Sequence, residues 1–365
     1  MASWSHNEPE GAPVVRSIAP VVALPKPRPG LWDAVDGLID RATRLGDLEF
    51  HRLHLLGAKR YRETGKLVPR DLREAERGAA LLTLLAPIVL QKAREAYDRT
   101  MVLMKGPEVA KKYPDPALRP FGDLDLLVPD AAEAQSALLA AGFVPAGSPD
   151  AYRDIHHLQP LRLPGSPLLV ELHDRPKWIE GLPAPSRAEL LASAVCGCTG
   201  VPGVLALPPE HHAMAIAAHS WAHAPLARLG HLVDLAAVTE GLDRSELDRI
   251  ATSFGMRRAW RTTISATDAL FDDGPRTRPL RLWARNLEAV RERTVLESHL
   301  GRWLPPWWAL APGGALRANA FTLSREVGRL GDEPWGSKLR RVGRALRNAT
   351  RRLSDHHRTL REEGQ

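Results

Sequence analysis

The sequence predicts a fold that mixes helices and strands, of the α/β or α+β class, and three observations support this prediction. Helical spacing of apolar residues dominates residues 31–97. Short apolar runs bounded by glycine and proline follow between residues 101 and 175, as expected of strands. Helical spacing returns after Pro209. The chain has 365 residues, 44% of them hydrophobic, which is enough for one large domain or two small ones.

The opening segment, residues 1–30, is expected to be a flexible leader because prolines punctuate it throughout. Glu8 and Glu10 leave no room among those prolines for the apolar stretch of a signal peptide. The longest mostly apolar run, residues 79–90, is shorter than the about 20 residues needed to span a bilayer. A cytoplasmic location without a transmembrane segment is therefore the expectation.

Charge and cysteine usage narrow the classes of partner. Lys and Arg total 50 against 43 Asp and Glu, a net charge of +7, which favours anionic partners such as nucleotides, nucleic acid or membrane surfaces. Cys196 and Cys198 are the only two cysteines, so a disulfide framework is excluded. The pair alone cannot make a zinc site, which usually needs about four ligands.

The elements up to residue 175 each have a local reason. Asp71 is expected to cap a helix whose apolar positions run to Leu85, with a kink at Pro87. Asp130 is expected to cap another helix, closed by Gly142. The predicted core elements are, in order, a strand at 101–104 that ends in a Lys105–Gly106 turn, a short helix at 107–112, a proline-rich loop, a strand at 124–128, a helix at 131–141, and a hairpin of residues 157–163 and 168–173.

The C-terminal half is expected to be helical, with an interruption rich in tryptophan and proline at residues 303–308. Its predicted helices are 210–224, 228–241, 244–254, 257–271 and 279–298. The last stretch, 337–361, is a basic amphipathic helix that could contact nucleic acid or an anionic membrane, or pack its apolar side on the domain. The predicted units are a leader (1–30), a helical N-terminal segment (31–100), a core (101–180), a helical substrate lobe (190–300), and a Trp/Pro linker with a basic tail (301–365).

The strand at 124–128 carries the most informative residues. Asp123 and Asp125 alternate with leucines, so both carboxylates project from the same face of a strand. Such a strand can be a solvated face, but the apolar run at residues 126–128 favours a buried strand. Gly122, just before it, permits a ligand to approach the backbone closely.

Two adjacent carboxylates repel each other unless a cation lies between them. Mg²⁺ commonly binds one or two carboxylates together with substrate phosphates, and two such ions, about 3.5–4 Å apart, can activate an attacking oxygen and stabilise a leaving group. Glu171, in the strand-like run LLVELHD, would complete the site as a metal ligand or base if its strand lies beside the first. The alternative is an exposed strand glutamate.

A phosphate-binding role is predicted near the first strand. The backbone amides and the ammonium group at Lys105–Gly106 could hold a triphosphate. Arg119 could pair with phosphate oxygens in bidentate fashion. Either Lys105 or Arg119 could instead be a surface charge.

These residues resemble the uncharacterised bacterial nucleotidyltransferase family of the polymerase-beta superfamily, and the likeness covers residues 45–260. Members show a hydrophobic strand ending in Lys-Gly, a tyrosine-proline loop, an arginine, then Asp-x-Asp-Leu-Leu-Val, a V-E-L-H strand, a helical histidine and an L-V-D-[LI] run. The matching residues are Lys105–Gly106, Tyr113–Pro114, Arg119, residues 123–128, residues 170–173, His219 and residues 232–235. Pro107 follows Gly106 here, whereas the wider superfamily has Gly-Ser or Gly-Gly nearer the first aspartate.

The resemblance implies an α+β fold with a small mixed sheet, a helical N-terminal segment and a helical C-terminal lobe. It implies transfer of a nucleotidyl group from a nucleoside triphosphate such as ATP, with Mg²⁺ or Mn²⁺, to an acceptor that could be a peptide natural product, a saccharide, a protein or RNA. The expected site residues are Asp123, Asp125 and Glu171 for catalysis and metal, Lys105, Gly106, Arg119 and Gly122 for the nucleotide, and His173, His219 and Asp234 for substrate. His219 could instead be an ordinary helix histidine, and Asp234 could cap a neighbouring helix.

Other functions find less support. His219 and His223 lie one helical turn apart, but Ser220 stands where a zinc metalloprotease needs glutamate. No serine-hydrolase elbow or Walker-type loop is present. The competing prediction is a non-catalytic nucleotide- or nucleic-acid-binding protein, motivated by the basic tail and by Pro107 after Gly106.

Overall fold

The computed structural model describes residues 29–152, 156–327 and 335–355, and it confirms the predicted α+β fold. The leader predicted for residues 1–30 therefore lies almost wholly outside the described residues, as do residues 356–361 of the predicted tail helix. Within the described parts, no helix combines the length and the apolar character that a membrane crossing requires.

Helices make up most of the structure. The α-helices are α1 (Pro29–Ile39), α2 (Leu45–Phe50), α3 (His54–Glu63), α4 (Arg70–Ala96), α5 (Pro107–Ala110), α6 (Ala131–Ala140), α7 (Arg187–Ala192), α8 (Pro209–His223), α9 (Leu229–Thr239), α10 (Arg244–Ser253), α11 (Arg257–Phe271), α12 (Arg278–Leu282), α13 (Arg285–Glu288), α14 (Val295–Trp303), α15 (Pro306–Ala309), α16 (Pro312–Val327) and α17 (Trp335–Arg347).

The strands of the described residues form one mixed sheet of seven, in the order β3-β4-β5-β2-β1-β7-β6. They are β1 (Met101–Leu103), β2 (Asp123–Leu127), β3 (Val144–Pro145), β4 (Leu161–Arg162), β5 (Leu169–His173), β6 (Val195–Cys196) and β7 (Val204–Ala206). Strand β2 pairs antiparallel with β1 and parallel with β5, while β4 and β5 form the predicted hairpin. The sheet therefore brings the two strands expected to carry carboxylates side by side.

The sheet separates two apolar cores. On one side, Leu124 and Leu126 pack with residues of α4 and α6. On the other side, Val102 and Leu127 join a larger core built from α1 to α3 and from α8 to α11. Because side chains alternate along a strand, the odd-numbered residues of β2 face this second, helical side.

One helix prediction near the N-terminus requires correction. Helix α4 begins after Pro69, and Asp71 lies in its first turn without capping it. A carboxylate there still interacts favourably with the helix dipole. Helix α4 also continues past Pro87 to Ala96. The predicted cap at Asp130 is confirmed, since its side chain accepts the Glu133 amide at 2.9 Å.

The single helix predicted for residues 279–298 is wrong. The structure breaks it into α12, α13 and the start of α14. Val290 has a φ of 43°, which a right-handed helix cannot accommodate. Thr294 then starts a new helix with a capping box, in which its side chain and that of Glu297 satisfy each other's backbone amides.

Strands β6 and β7, whose bounds are not predicted from the sequence, extend the sheet beyond β1. Cys196 lies on β6, and both cysteines are free thiols. In the described part of the basic tail, Leu339 and Leu346 are exposed, so at these two positions the apolar side of α17 does not pack on the rest of the chain.

Candidate active site

Two parallel strands place four polar side chains on one face of the sheet. Asp125 of β2 lies opposite Glu171 of β5 in the parallel register. Asp123 and His173 share that face because side chains two residues apart point the same way. The face looks towards α8 and α9, and a cavity of about 550 Å³ lies between them.

Asp125 is the buried centre of this face. Its Oδ1 lies 3.1 Å from the Lys105 ammonium and 3.1 Å from Nε2 of His173. Burial alone would raise the pKa of Asp125, but the positive charge of Lys105 and the contact with His173 outweigh it and hold the pKa far below its usual value. The carboxylate is therefore ionised over the whole physiological range.

The residues present fit a divalent cation. Ligand atoms of Asp125, Glu171 and His173 lie within 4.8 Å of one another. The buried Oδ2 of Asp125 has no hydrogen-bond partner among the described residues. A buried polar atom normally has a partner, and a bound cation would supply one to this oxygen. Carboxylate oxygens suit hard cations such as Mg²⁺, Ca²⁺ and Mn²⁺, whereas an imidazole suits Zn²⁺ and Fe²⁺, so the donor set fits a divalent cation without selecting one ion.

The three carboxylates predicted to bind metal, those of Asp123, Asp125 and Glu171, are not equally close to one another in the structure. Asp125 and Glu171 are adjacent, and His173, expected near substrate, joins them. Asp123 lies outside this closest group, although it lines the same cavity. Burial and the neighbouring charge of Asp125 raise the pKa of Asp123.

The Lys105–Gly106 turn lies against the same face. Gly106 has a φ of 65°, and a Cβ there would stand 3.2 Å from the backbone oxygen of Asp123, so glycine suits the position on both grounds. Lys105 Nζ lies between Asp125 and Nδ1 of His219, which is 3.2 Å away. The helix after the turn, α5, is only four residues long. Gly122 lines the cavity nearby.

Arg119 has a partner that the sequence did not reveal. Its Nε and Nη2 donate to the two carboxylate oxygens of Asp234 at 2.8 and 2.9 Å, and the Tyr113 hydroxyl donates to Asp234 at 2.7 Å. Burial would raise the pKa of Asp234, but Arg119 reverses this and lowers it. Arg119 Nη1 also donates to the Gly106 carbonyl at 3.3 Å. The arrangement ties the turn to α9.

His219 lies on α8 and lines the cavity. Burial and the nearby Lys105 charge hold the pKa of His219 well below its usual value, so the ring is neutral. Its ring centroid lies 4.5 Å from that of His223. Among the described residues, these two histidines do not belong to a group of three or more metal-ligating side chains.

The sequence analysis missed several side chains of the cavity. Arg52, Lys177 and Arg228 line it, together with His156 and His157. Nε2 of His157 stands 3.6 Å from the Glu171 carboxylate. Lys177 lies four residues after the V-E-L-H run, and this proximity is the only feature of the sequence that could have indicated its place in the cavity. No local sequence pattern indicates Arg52 or Arg228.

Comparison with known proteins adds one finding. Residues 40–272, nearly two-thirds of the chain, match the sequence model of a family described as an uncharacterised nucleotidyltransferase. The matched stretch contains β1, β2 and β5, both strands that carry the carboxylates among them. No curated protein and no solved structure matches the chain.

Proposed function

The chain belongs to the uncharacterised nucleotidyltransferase family, and from that premise we propose that it transfers a nucleoside monophosphate from a nucleoside triphosphate to an acceptor. The observation that supports the proposal most strongly is the pairing of Asp125 with Glu171 on adjacent parallel strands, with Asp123 on the same face. The geometry supports Asp125 and Glu171 most directly, and Asp123 lines the same cavity.

The proposed reaction is a displacement at the α-phosphorus. An acceptor hydroxyl, amine or phosphate oxygen forms a bond to this phosphorus while the bond to the bridging oxygen breaks. Pyrophosphate leaves with the bonding electron pair, and an attacking hydroxyl or amine loses its proton to solvent or to a base. No oxidant or reductant is needed. The protein's task in such a transfer is mainly to position groups and supply opposite charge.

We propose that Asp123, Asp125 and Glu171 hold Mg²⁺ or Mn²⁺, with His173 beside them. A divalent cation bound there would neutralise phosphate charge and would stabilise the negative charge on the attacking and leaving oxygens in the transition state. Lys105 keeps Asp125 ionised and in place through its 3.1 Å contact. The ionised carboxylate can therefore bind a cation without first losing a proton.

Arg119 and Asp234 act as positioning residues in this proposal. Their buried pairing holds the Gly106 carbonyl, and Gly106 lies against the backbone of Asp123. We therefore assign neither side chain to direct contact with nucleotide or acceptor. Lys105, Gly106 and Gly122 remain candidates for the nucleotide because they line the cavity beside the carboxylates.

Nucleoside triphosphates labelled at either of two positions, the α- or the γ-phosphate, test the proposal. The protein is incubated with Mn²⁺, cell extract as a source of acceptors, and ATP, GTP, CTP or UTP labelled at the α- or the γ-phosphate. We expect label from the α-position in a macromolecular or small-molecule product, none from the γ-position, and loss of at least about 100-fold in Asp123→Asn and Asp125→Asn.

The matched control is Asp98→Asn, an exposed aspartate outside the cavity, which should transfer label like the wild type. Equal transfer by the wild type and by both active-site variants would reject the proposal. Binding of triphosphate without any transfer would favour the alternative, a non-catalytic nucleotide-binding protein. Transfer of γ-label would indicate a kinase instead.

A further inference from the structure

The charges that line the cavity are not equally available to a ligand. Lys105 is paired with Asp125 at 3.1 Å, and Arg119 is paired with Asp234 at 2.8 Å. These two cations were the ones expected from the sequence to hold phosphate. Three others line the cavity without a carboxylate within 4.0 Å in the part of the chain that the structure describes. They are Arg52, Lys177 and Arg228.

The fold holds two of these cations together. The first amides of α9, those of Leu229 and Gly230, donate to the ring nitrogen and the carbonyl of His51 at 3.2 and 2.9 Å. A Cβ on Gly230 would stand 2.8 Å from the backbone oxygen of His51 and 3.1 Å from the Cβ of Arg52, so only glycine allows this approach. Arg228, the residue before α9, and Arg52 therefore lie beside each other.

Arg228 lies in an environment that disfavours its positive charge. Burial and then the charge of Arg52 lower the pKa of Arg228. Arg228 also lies over the Phe50 ring, 5.6 Å from its centroid. Glu49 lines the cavity too, but it is exposed and makes no ion pair with either arginine among the described residues.

Lys177 approaches the same region from the other side. Its ammonium lies 2.8 and 3.2 Å from the ring nitrogens of His223. Burial and the charges of Lys177, Lys105, Arg52 and Arg228 lower the pKa of His223 to about 4, so this ring is neutral. His223 therefore lies within the electrostatic reach of Arg52, Lys177 and Arg228, all of which line the same cavity.

We propose that Arg52, Lys177 and Arg228 form the subsite that binds the β- and γ-phosphates of the nucleoside triphosphate. This inference rests on the proposed function and assigns the polyphosphate to residues of the helical N-terminal segment, of the segment after β5 and of the helical C-terminal lobe. Phosphate oxygens would relieve the repulsion between Arg52 and Arg228 and that between Lys177 and Lys105. Guanidinium groups bind phosphate in bidentate fashion, and an ammonium adds a compact charge.

The backbone at Arg52 gives independent support. Arg52 has a φ of 59°, in the left-handed region that favours glycine. Such strained residues cluster at ligand-binding positions. Glycine at this position would remove the strain and the charge together, so an arginine here sacrifices stability for charge at the cavity.

Calorimetry with two probes tests the subsite. The probes are α,β-methylene-ATP and inorganic triphosphate, each with Mn²⁺, and AMP is the comparison ligand because it lacks the β- and γ-phosphates. We expect Arg52→Gln, Lys177→Gln and Arg228→Gln each to weaken binding of both triphosphates by roughly tenfold, and AMP binding by less than threefold. Arg175→Gln, which removes an exposed charge two residues from Lys177 and outside the cavity, should change neither.

A second readout keeps the test independent of folding. Because Arg52 repels Arg228, and Lys105 repels Lys177, the midpoint of thermal unfolding should stay the same or rise in each variant without ligand. The rise should be largest in Arg52→Gly, which also removes the backbone strain at this position. Arg228→Lys, which retains charge, should recover part of the lost affinity.

The outcomes separate the two proposals. Wild-type binding of both triphosphates with undiminished affinity in all three variants would overturn the subsite and leave the nucleotidyl transfer standing. Failure of the wild type to bind any triphosphate would overturn both. Weakened binding accompanied by a comparable loss of stability would assign the three residues to the fold and also overturn the subsite.

Discussion

Asp234→Asn is predicted to destabilise the fold strongly because it leaves the Arg119 guanidinium buried without a counter-charge. The side chain of Asp234 accepts two hydrogen bonds from Arg119 and one from Tyr113. Asparagine has almost the same shape, so the packing is conserved. Its amide group, however, offers only one accepting atom to the three donors.

The size of the effect follows from this geometry. Arg119 and Asp234 are both buried, with 9% and 6% of their surfaces exposed, so solvent cannot replace the lost partner. Removal of one member of a buried ion pair costs about 3–5 kcal/mol in the free energy of unfolding. The double variant Arg119→Met/Asp234→Asn removes both charges and keeps an acceptor for Tyr113. It should be more stable than Asp234→Asn by about 2 kcal/mol.

Urea unfolding followed by circular dichroism measures these free energies, with Asp98→Asn as the surface control. The family resemblance also implies that Asp234 contacts substrate, and the same variants decide between the two roles. If Asp234→Asn unfolds at the wild-type urea concentration but transfers no label, then Asp234 contacts substrate, and the reasoning from the buried pair is refuted.

Two further predictions concern other parts of the fold. The wild type should lose up to about 3 kcal/mol of stability relative to His51→Gln between pH 6.5 and 4, because burial lowers the pKa of His51 from 6.5 to about 4. As the pH falls, the unfolded chain binds a proton at His51 before the folded protein does, so the free energy of unfolding decreases. Urea unfolding at pH 7, 5.5 and 4.5 should therefore show a larger decrease in the wild type than in His51→Gln. Equal decreases in the two proteins would contradict the lowered pKa of His51. Gly106→Ala should cost about 1–3 kcal/mol and reduce label transfer, because a Cβ at this positive φ also crowds the Asp123 carbonyl. A stable, fully active Gly106→Ala variant would show that the turn tolerates a side chain.

Local rules predicted what depends on short stretches of sequence. Alternation along a strand placed Asp123 and Asp125 on one face, and helical spacing gave the bounds of α11 without error. The resemblance to a family then predicted that Glu171 would lie beside them, which the parallel register of β2 and β5 confirms.

Long-range pairings could not be predicted in this way. Arg119 and Asp234 are 115 positions apart, and no local pattern indicates that their charges satisfy each other. Arg52 and Arg228 meet only because the first turn of α9 binds His51, a contact that depends on tertiary packing. The broken helix at 279–298 escaped prediction because its apolar spacing is helical and the reversal at Val290 leaves no glycine or proline in the sequence.

The central claim is that the carboxylates of β2 and β5 hold a divalent cation for use with a nucleoside triphosphate. Binding of Mn²⁺, measured by electron paramagnetic resonance with and without α,β-methylene-ATP, tests it without knowledge of the acceptor. The account predicts binding by the wild type that the nucleotide strengthens, at least about 10-fold weaker binding in Asp125→Asn and Glu171→Gln, and no change in Asp98→Asn. Equal Mn²⁺ binding by the wild type and both variants, or none by the wild type even with nucleotide, would contradict the account.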